Sequence, residues 1–382
     1  MIFDCIIVGA GFSGSVIARK LAEQDKKVLI LERRNHIAGN MYDERDAGGI
    51  IVQKYGPHIF HANSKEVYDF ITKYDAWIDY RHCPAVDLDG IITPSPANYT
   101  TIDLLYNKNE AEALKTHLET CYAGRKTVTI PELLECDDPV IKKYAEKLCE
   151  MNYRPYTAKQ WGISVDEIDP GVLKRVPVRL DYTTGYFDSE FQCMPKNGYT
   201  CFFEKLLTHK NIEIMLNTNA LDKLKIDTDN KHTLFDGKMI TTPLVYTGAI
   251  DELLNYRYGQ LPYRSLRFEY QTKNTDSFLE APVVAYPKAD GYTRITEFKK
   301  LPPQNIPGTT VVAFEYPLHA NIANKNEPFY PVLTEDNTAL FNRYRSDLNG
   351  IPNLFLCGRL AEYKYYDMDA VILRAFEVCE KI

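Results

Sequence analysis

An apolar run, Cys5 to Val8, breaks at Gly9 and gives way to apolar positions at helical spacing. A second apolar run, Val28 to Leu31, ends on Glu32. Strand-sized runs on either side of a helix-sized segment predict a buried β-α-β unit. Gly49 to Val52 is again strand-like. Asn63 or Ser64 is placed to cap a helix reaching about Tyr74, and Tyr80 to Thr93 predicts a hairpin turning at Asp89-Gly90. Between Thr101 and Tyr153 the period becomes helical, as in Ala111-Leu114-Leu118 and Val140-Tyr144-Leu148. Asp138-Pro139 supplies a cap and a first-turn proline there. Strand-length runs rich in β-branched and aromatic residues recur at 264–271, 281–286, 292–298 and 309–316 and predict an antiparallel sheet. Two more buried runs, Leu244 to Gly248 and Leu354 to Arg359, meet a glycine near their ends, and Asp367-Met368-Asp369 starts a last helix.

This alternation predicts an α/β chain: a discontinuous Rossmann-like domain with an inserted helical domain and an antiparallel β-sheet domain. The expected pieces are 1–78 with 200–262 and 335–382 for the first, 79–180 for the mostly helical second, and 181–199 with 263–334 for the third. The stretch at about 163–178, beside Gly162, holds Gly171 and two prolines and lacks a clean period, as a mobile loop would.

The 382 residues carry a formal net charge of −7, with no basic stripe or tail, which argues against nucleic acid as a partner. The longest apolar runs are strand-sized, so no membrane insertion is expected, and no secretory leader is visible. The nine cysteines are odd in number and form no C-x-x-C, which suits a reducing, cytoplasmic location. His58 and His61 form an H-x-x-H pair in a loop without the glutamate of a zinc helix, so no metal site is expected.

The first turn reads Gly9-Ala10-Gly11-Phe12-Ser13-Gly14, the G-x-G-x-x-G pattern. Gly9 permits the turn, Gly11 lets backbone approach a pyrophosphate, and Gly14 lets helix and strand pack closely. Glu32 is placed to accept from ribose hydroxyls. These features suit FAD or NAD(P). Arg33, Arg34, Gly39 and Asn40 follow at once, as in flavoproteins of the two-dinucleotide type, which tilts the reading to FAD; Arg34 is expected to be a solvated loop charge. Arginine and tyrosine also cluster elsewhere, among them Tyr156, Trp161, Arg175, Tyr186, Arg264, Arg294, Tyr330 and Tyr365. Forked guanidinium groups and phenolic hydroxyls suit a diphosphate, and flat rings suit a base or sugar.

At these residues the chain resembles the bacterial UDP-galactopyranose mutase family. The shared stretches run in order over nearly the whole length: YGPHIFH (Tyr55 to His61), YTAKQWG (Tyr156 to Gly162), RVPVR (Arg175 to Arg179), YRSL (Tyr263 to Leu266), TRI (Thr293 to Ile295), EYP (Glu315 to Pro317), FYP (Phe329 to Pro331) and GRLAEYKYYDMD (Gly358 to Asp369). The resemblance implies interconversion of UDP-galactopyranose and UDP-galactofuranose without net redox change. In that family N5 of reduced FAD displaces UDP from the anomeric carbon, the ring opens through a flavin iminium ion, and it recloses at the other size. It also implies a cellular reductant such as NAD(P)H and a homodimer.

Carried over by position, Arg175 and Arg294 resemble the diphosphate clamp, with Arg175 on the 163–178 loop, which the resemblance implies closes over the substrate. Tyr186, Tyr330 and Tyr365 resemble phosphate-binding tyrosines, and Arg264 a supporting arginine. Trp161 is expected near the nucleotide or sugar, and Tyr156 and Phe187 beside the uridine. Tyr55, Gly56, His58 and Ile59 are expected at the cofactor, with His58 holding its reactive edge. Asp367 closes the pocket. Arg359, Met368, Thr247 and Gly248 join Gly9, Gly11, Phe12, Ser13, Gly14, Glu32, Arg33, Gly39 and Asn40 as cofactor residues.

One departure concerns Val283-Val284-Ala285-Tyr286, where the family pattern is V-x-N-Y. The smaller Ala285 leaves either space for a bulkier sugar, such as a 2-acetamido one, or a neutral change. A flavin-dependent amine oxidase or dehydrogenase shares the first fingerprint, but the arginine–tyrosine set argues against it. A non-catalytic nucleotide-sugar-binding protein is a third reading.

Overall fold

The structure is a computed structural model that describes residues 3–161, 173–174, 176–320 and 326–382. Among them, five strands form a parallel sheet in the order Ile212–Met215, Val28–Leu31, Cys5–Val8, Leu244–Tyr246, Leu354–Leu356. Cys5, Ile7, Val28 and Ile30 are fully buried beneath the helices Phe12–Ala22, Tyr199–Leu207 and Met368–Cys379. The opposite face carries Leu244 and Tyr246 against Ile250, Phe341 and Tyr344. The strand order reverses between Cys5–Val8 and Leu244–Tyr246, and the crevice at such a switch point is where α/β sheets bind ligands.

Local sterics hold the first turn open. Gly9 has φ +101°, and a Cβ there would lie 2.2 Å from Thr247 Oγ1. A Cβ on Gly14 would lie 2.0 Å from the Gly9 carbonyl oxygen, so helix and turn touch as the spacing predicts.

A second sheet runs Tyr330–Pro331, Tyr263–Lys273, Thr310–Ala320, Arg294–Glu297, Val283–Ala285, Ala85–Leu88, Ile91–Pro94. It is antiparallel except where Ala85–Leu88 lies parallel to Val283–Ala285. The hairpin at 85–94 therefore extends this sheet instead of belonging with the helices. Its turn residues Asp89 and Gly90 both have positive φ, as a type I′ turn needs. Register then fixes a row across five strands: Val86, Ala285, Arg294, Glu315 and Phe268 are successive partners. Directly paired residues share a face, so these side chains stand together.

The helical unit packs Leu114, Leu118, Ile141, Tyr144 and Leu148 into its own core. Asp138 caps Pro139–Leu148 by accepting from the Val140 and Ile141 N–H groups. The helix Arg154–Trp161 is then tied to the second sheet by one side chain. Lys159 Nζ donates to the carbonyls of Tyr286 (2.9 Å), Ala289 (2.5 Å) and Tyr292 (3.0 Å) in the loop leading to Arg294.

Two features differ from the sequence expectation. Phe191–Pro195 lies between Phe60–Ala62 and Trp77–Asp79 in a separate three-stranded sheet, not beside the 263–334 strands. Leu224–Asp227, His232–Phe235 and Lys238–Ile240 form a small antiparallel sheet whose short strands of mixed polarity give little periodic signal.

Asp251, 1 % exposed, accepts from the Leu261 N–H at 2.9 Å, and burial pushes its carboxyl up to about 6. A raised native value means the fold binds the extra proton, so its stabilising effect is full below about pH 4 and lost as pH rises through 6. Asp251→Asn keeps the acceptor and removes the charge. It is expected to raise stability by roughly 1–2 kcal/mol at pH 8 and by little at pH 4, read from urea unfolding at both pH values.

Candidate active site

A cleft enclosing about 1220 Å³, part of it open to solvent, runs along the carboxyl ends of the parallel strands. At one end lies Glu32, 5 % exposed. Its Oε2 accepts from the Ala10 N–H and its Oε1 from the Arg34 N–H, both at 2.8 Å. A carboxylate oxygen has two acceptor sites, so each keeps one for a ligand hydroxyl. Arg33 borders the cleft and pairs with Glu327 (3.0 Å) and Glu252 (3.3 Å). Arg34 departs from the expected solvated charge. It donates to Asn40 Oδ1 (3.0 Å) and Glu327 (3.1 Å), and its guanidinium lies 4.4 Å from the Tyr55 ring centre. Glu327 lies 293 residues further along, so no local pattern announces that pair.

Further in, Gly9, Gly11, Phe12 and Ser13 border the cleft at the start of the Phe12–Ala22 helix. Asp367 and Met368 border it at the start of Met368–Cys379. Free N–H groups at both helix starts suit a pyrophosphate. Asp367 holds the N-cap position without a side-chain capping bond. Gly39, Asn40, Thr247, Gly248 and Arg359 complete this part, while Gly14 packs beneath it.

His58 borders the inner end. Its Nδ1 lies 2.8 Å from the Gly56 carbonyl, which can only accept, so Nδ1 carries the proton and Nε2 is an acceptor. Burial, with Arg359 and Arg294 nearby, pushes its pKa down to about 3, so the ring is neutral. Tyr55, Gly56 and Ile59, expected at the cofactor, are not among the residues lining this cleft. Tyr55 bonds His36 Nε2 at 2.8 Å, and Ile59 packs on the main core. Gly56, at φ +92°, sits where a Cβ would lie 2.8 Å from the Phe268 ring and 3.8 Å from Glu315 Oε2. That contact brings the cofactor loop onto the cross-strand row of the second sheet.

In this row Arg294 Nε donates to Glu315 Oε2 at 2.7 Å, and Glu315 is 1 % exposed. Burial pulls the Arg294 guanidinium down, but the Glu315 carboxylate, Tyr156 and Tyr330 more than offset this and hold it charged. Burial pushes the Tyr156 phenol up to about 12, with Arg294 opposing and Glu315, Tyr186 and Tyr330 adding to the rise. Tyr156, Tyr186, Arg294 and Tyr330 are thus brought together. Tyr330 and Tyr365 stack at 6.1 Å, the Arg264 guanidinium lies 5.6 and 5.7 Å from their ring centres, and Arg264 Nη2 donates to the Tyr365 hydroxyl. Arg359 lies 4.6 Å from the Tyr330 ring centre. Phe187 stacks on His61 at 3.8 Å. Arg175, the Trp161 side chain, Gly162 and residues 163–172 of the expected loop lie outside the described residues.

Sequence reading missed several cleft residues. Thr218, Asn219, Ala220 and Leu221 reach it from beyond Ile212–Met215, and Phe329 reaches it from beside Tyr330. It also gave no role to Glu315, although EYP was in view. Among the described residues no helix is long and apolar enough to cross a membrane.

A family model described as UDP-galactopyranose mutase matches residues 151–365, and one described as NAD(P)-binding Rossmann-like domain matches residues 7–74. The UDP-galactopyranose mutase of Mycoplasma pneumoniae is 35 % identical over 386 residues, covering 100 % of this chain and 96 % of that protein. The dTDP-fucopyranose mutase of Escherichia coli is also 35 % identical, covering 98 % and 97 %. A crystal structure of reduced UDP-galactopyranose mutase superposes with a TM-score of 0.73 at 16 % identity, covering 100 % and 93 %, and shares the fold.

Removing Arg294 would leave Glu315 buried without its cation. Arg294→Ala is expected to cost about 3–5 kcal/mol of stability at pH 8. Arg294→Lys, which keeps a cation for Glu315, should lose less. Urea unfolding curves of the two variants check this; equal losses would show that the pair is not the source.

Proposed function

Because the chain belongs to the UDP-galactopyranose mutase family, we propose that it interconverts UDP-galactopyranose and UDP-galactofuranose with the help of FAD. The supporting observation is the meeting of a dinucleotide cleft with an arginine–tyrosine anion site through Gly56 and His58. An oxidase acting on an amine or alcohol has no use for Arg264, Arg294 and Tyr330 set around one point.

The cleft residues fit FAD. Glu32 would receive the adenosine ribose, the two helix starts the pyrophosphate, and His58 and Arg359 the inner end. In its reduced form the bound FAD would supply a nucleophilic N5 for the change of ring size, with no net oxidation. The chain's own residues do the rest. Arg294, with Arg175 by family position, neutralises the diphosphate as it leaves and keeps it close for return. Tyr186, Tyr330 and Tyr365 add hydroxyl donors, each charge-assisted bond contributing about 1.5–3 kcal/mol. Tyr156, Phe187 and Trp161 flank the nucleotide. His58 keeps its proton on Nδ1 and offers Nε2 to an N–H donor at the cofactor's edge. Asp367 borders the same chamber.

The expected setting is cytoplasmic, as a homodimer, with a cellular reductant such as NAD(P)H keeping the cofactor reduced. The proposed units remain a cofactor domain, a helical domain carrying Tyr156, and a sheet domain carrying Arg294. Similarity to a dTDP-fucopyranose mutase makes the shared chemistry ring contraction of a nucleoside-diphosphate hexose, and Ala285 keeps a 2-acetamido sugar in the comparison.

Dithionite-reduced enzyme is expected to convert UDP-galactofuranose to the pyranose form, while oxidised enzyme does not. Side-by-side incubation with UDP-N-acetylgalactosamine and dTDP-fucopyranose ranks the sugars. Arg175→Ala should lower turnover by about one to two orders of magnitude. Steady net oxidation of a substrate, or full activity without a reductant, would overturn the proposal.

A further inference from the structure

We infer that Gln192 is a positioning residue for nucleotide binding, holding from behind the turn that presents Phe187 to the base. This rests on the reading of Phe187 given above.

Residues 182–190 form no helix or strand, so no ladder satisfies their backbone groups. Side chains take over much of that work. Arg179 Nη2 donates to the Gly185 carbonyl at 3.1 Å and to Asp188 Oδ1 at 2.8 Å. Gln192 Nε2 donates to the carbonyls of Phe187 (3.2 Å) and Ser189 (3.0 Å). Both carbonyls can only accept, so the NH2 end of the carboxamide faces them. One side chain thus grips the turn on either side of Asp188.

Gln192 is itself well held. It lies on Phe191–Pro195, the middle strand of the three-stranded sheet, directly paired with His61. Its carbonyl accepts from the Tyr80 N–H at 3.0 Å. Paired residues share a face, and His61 works on the same turn. The His61 ring stacks on Phe187 at 3.8 Å and 18°, and its Nδ1 lies 3.1 Å from Ser189 Oγ. Phe187 is nonetheless only half-buried. A flat ring backed on one side and partly open is a stacking surface for a base.

The other end of the carboxamide marks this as more than packing. Gln192 Oε1 is buried and has no partner among the described residues. An unpaired buried acceptor is unfavourable, and an apolar side chain of the same length would avoid it. Packing alone therefore does not call for glutamine here. The two donated bonds do, because they fix Phe187.

The test is equilibrium binding of uridine, UDP and inorganic pyrophosphate to the FAD-loaded protein. Gln192→Met keeps the length of the side chain and removes its donors. Uridine and UDP affinities are expected to fall about tenfold, while pyrophosphate affinity and Tm stay near wild type. A merely structural glutamine would lower Tm without separating the base from the diphosphate. Unchanged uridine affinity would overturn the proposal. So would an equal loss for pyrophosphate, which would show a general loosening of the site. Should Gln192→Met not fold, the side-chain ¹⁵N–¹H signals of Gln192 in the wild-type protein decide. Signals that shift with uridine and not with pyrophosphate support the role, and unmoved signals overturn it. A Phe187→Leu variant binding uridine at wild-type strength would instead contradict the reading of Phe187 itself.

Discussion

A buried carboxylate sets the geometry of this molecule. Glu315 is almost wholly removed from water and holds Arg294 through a 2.7 Å bond, and the pair occupies adjacent strands at matched register. A buried charge left alone is costly, so Arg294 cannot leave without a large loss. The same carboxylate lies against Gly56, where the absence of a side chain lets the cofactor loop settle on the sheet. One electrostatic constraint thus fixes an arginine and, through it, the distance between two halves of a site.

Those halves come from different parts of the chain. The parallel sheet supplies two helix starts and Glu32, a binding surface for an anionic dinucleotide. The second sheet and the helical unit supply Tyr156, Arg264, Arg294 and Tyr330, a surface for another anion. Lys159 ties the helix carrying Tyr156 to the loop before Arg294, so the second surface is itself assembled from two units. Neutral His58 lies at the junction, where a charged ring would compete with Arg359 and Arg294. In the proposed reaction such an arrangement would let a leaving diphosphate remain bound while the sugar stays near the cofactor.

Much of this was legible in the residues. The β-α-β turn, the Ser64 and Asp138 caps, the 89–90 turn and the four later strands are all short-range patterns, and each is found close to its expected place. Arg34 was not, because its partner Glu327 is distant in sequence. The 85–94 hairpin signalled its own shape but not which unit it would join, since pairing with Val283–Ala285 is a long-range contact. Glu315 is an ordinary residue in sequence; only register and burial bring it to Arg294. Tyr55, Gly56 and Ile59 matched a motif, and their contacts here are with His36, Phe268 and the main core, none of them near in sequence to the glycine turn.

The most direct measurement concerns whether the two halves form one chamber. Reduced protein would be mixed with UDP-galactose and cyanoborohydride, and the released coenzyme weighed by mass spectrometry. A hexose covalently joined to the flavin is the result expected if sugar and cofactor meet beside Arg294. Active enzyme that yields only unmodified flavin under the same conditions would contradict it.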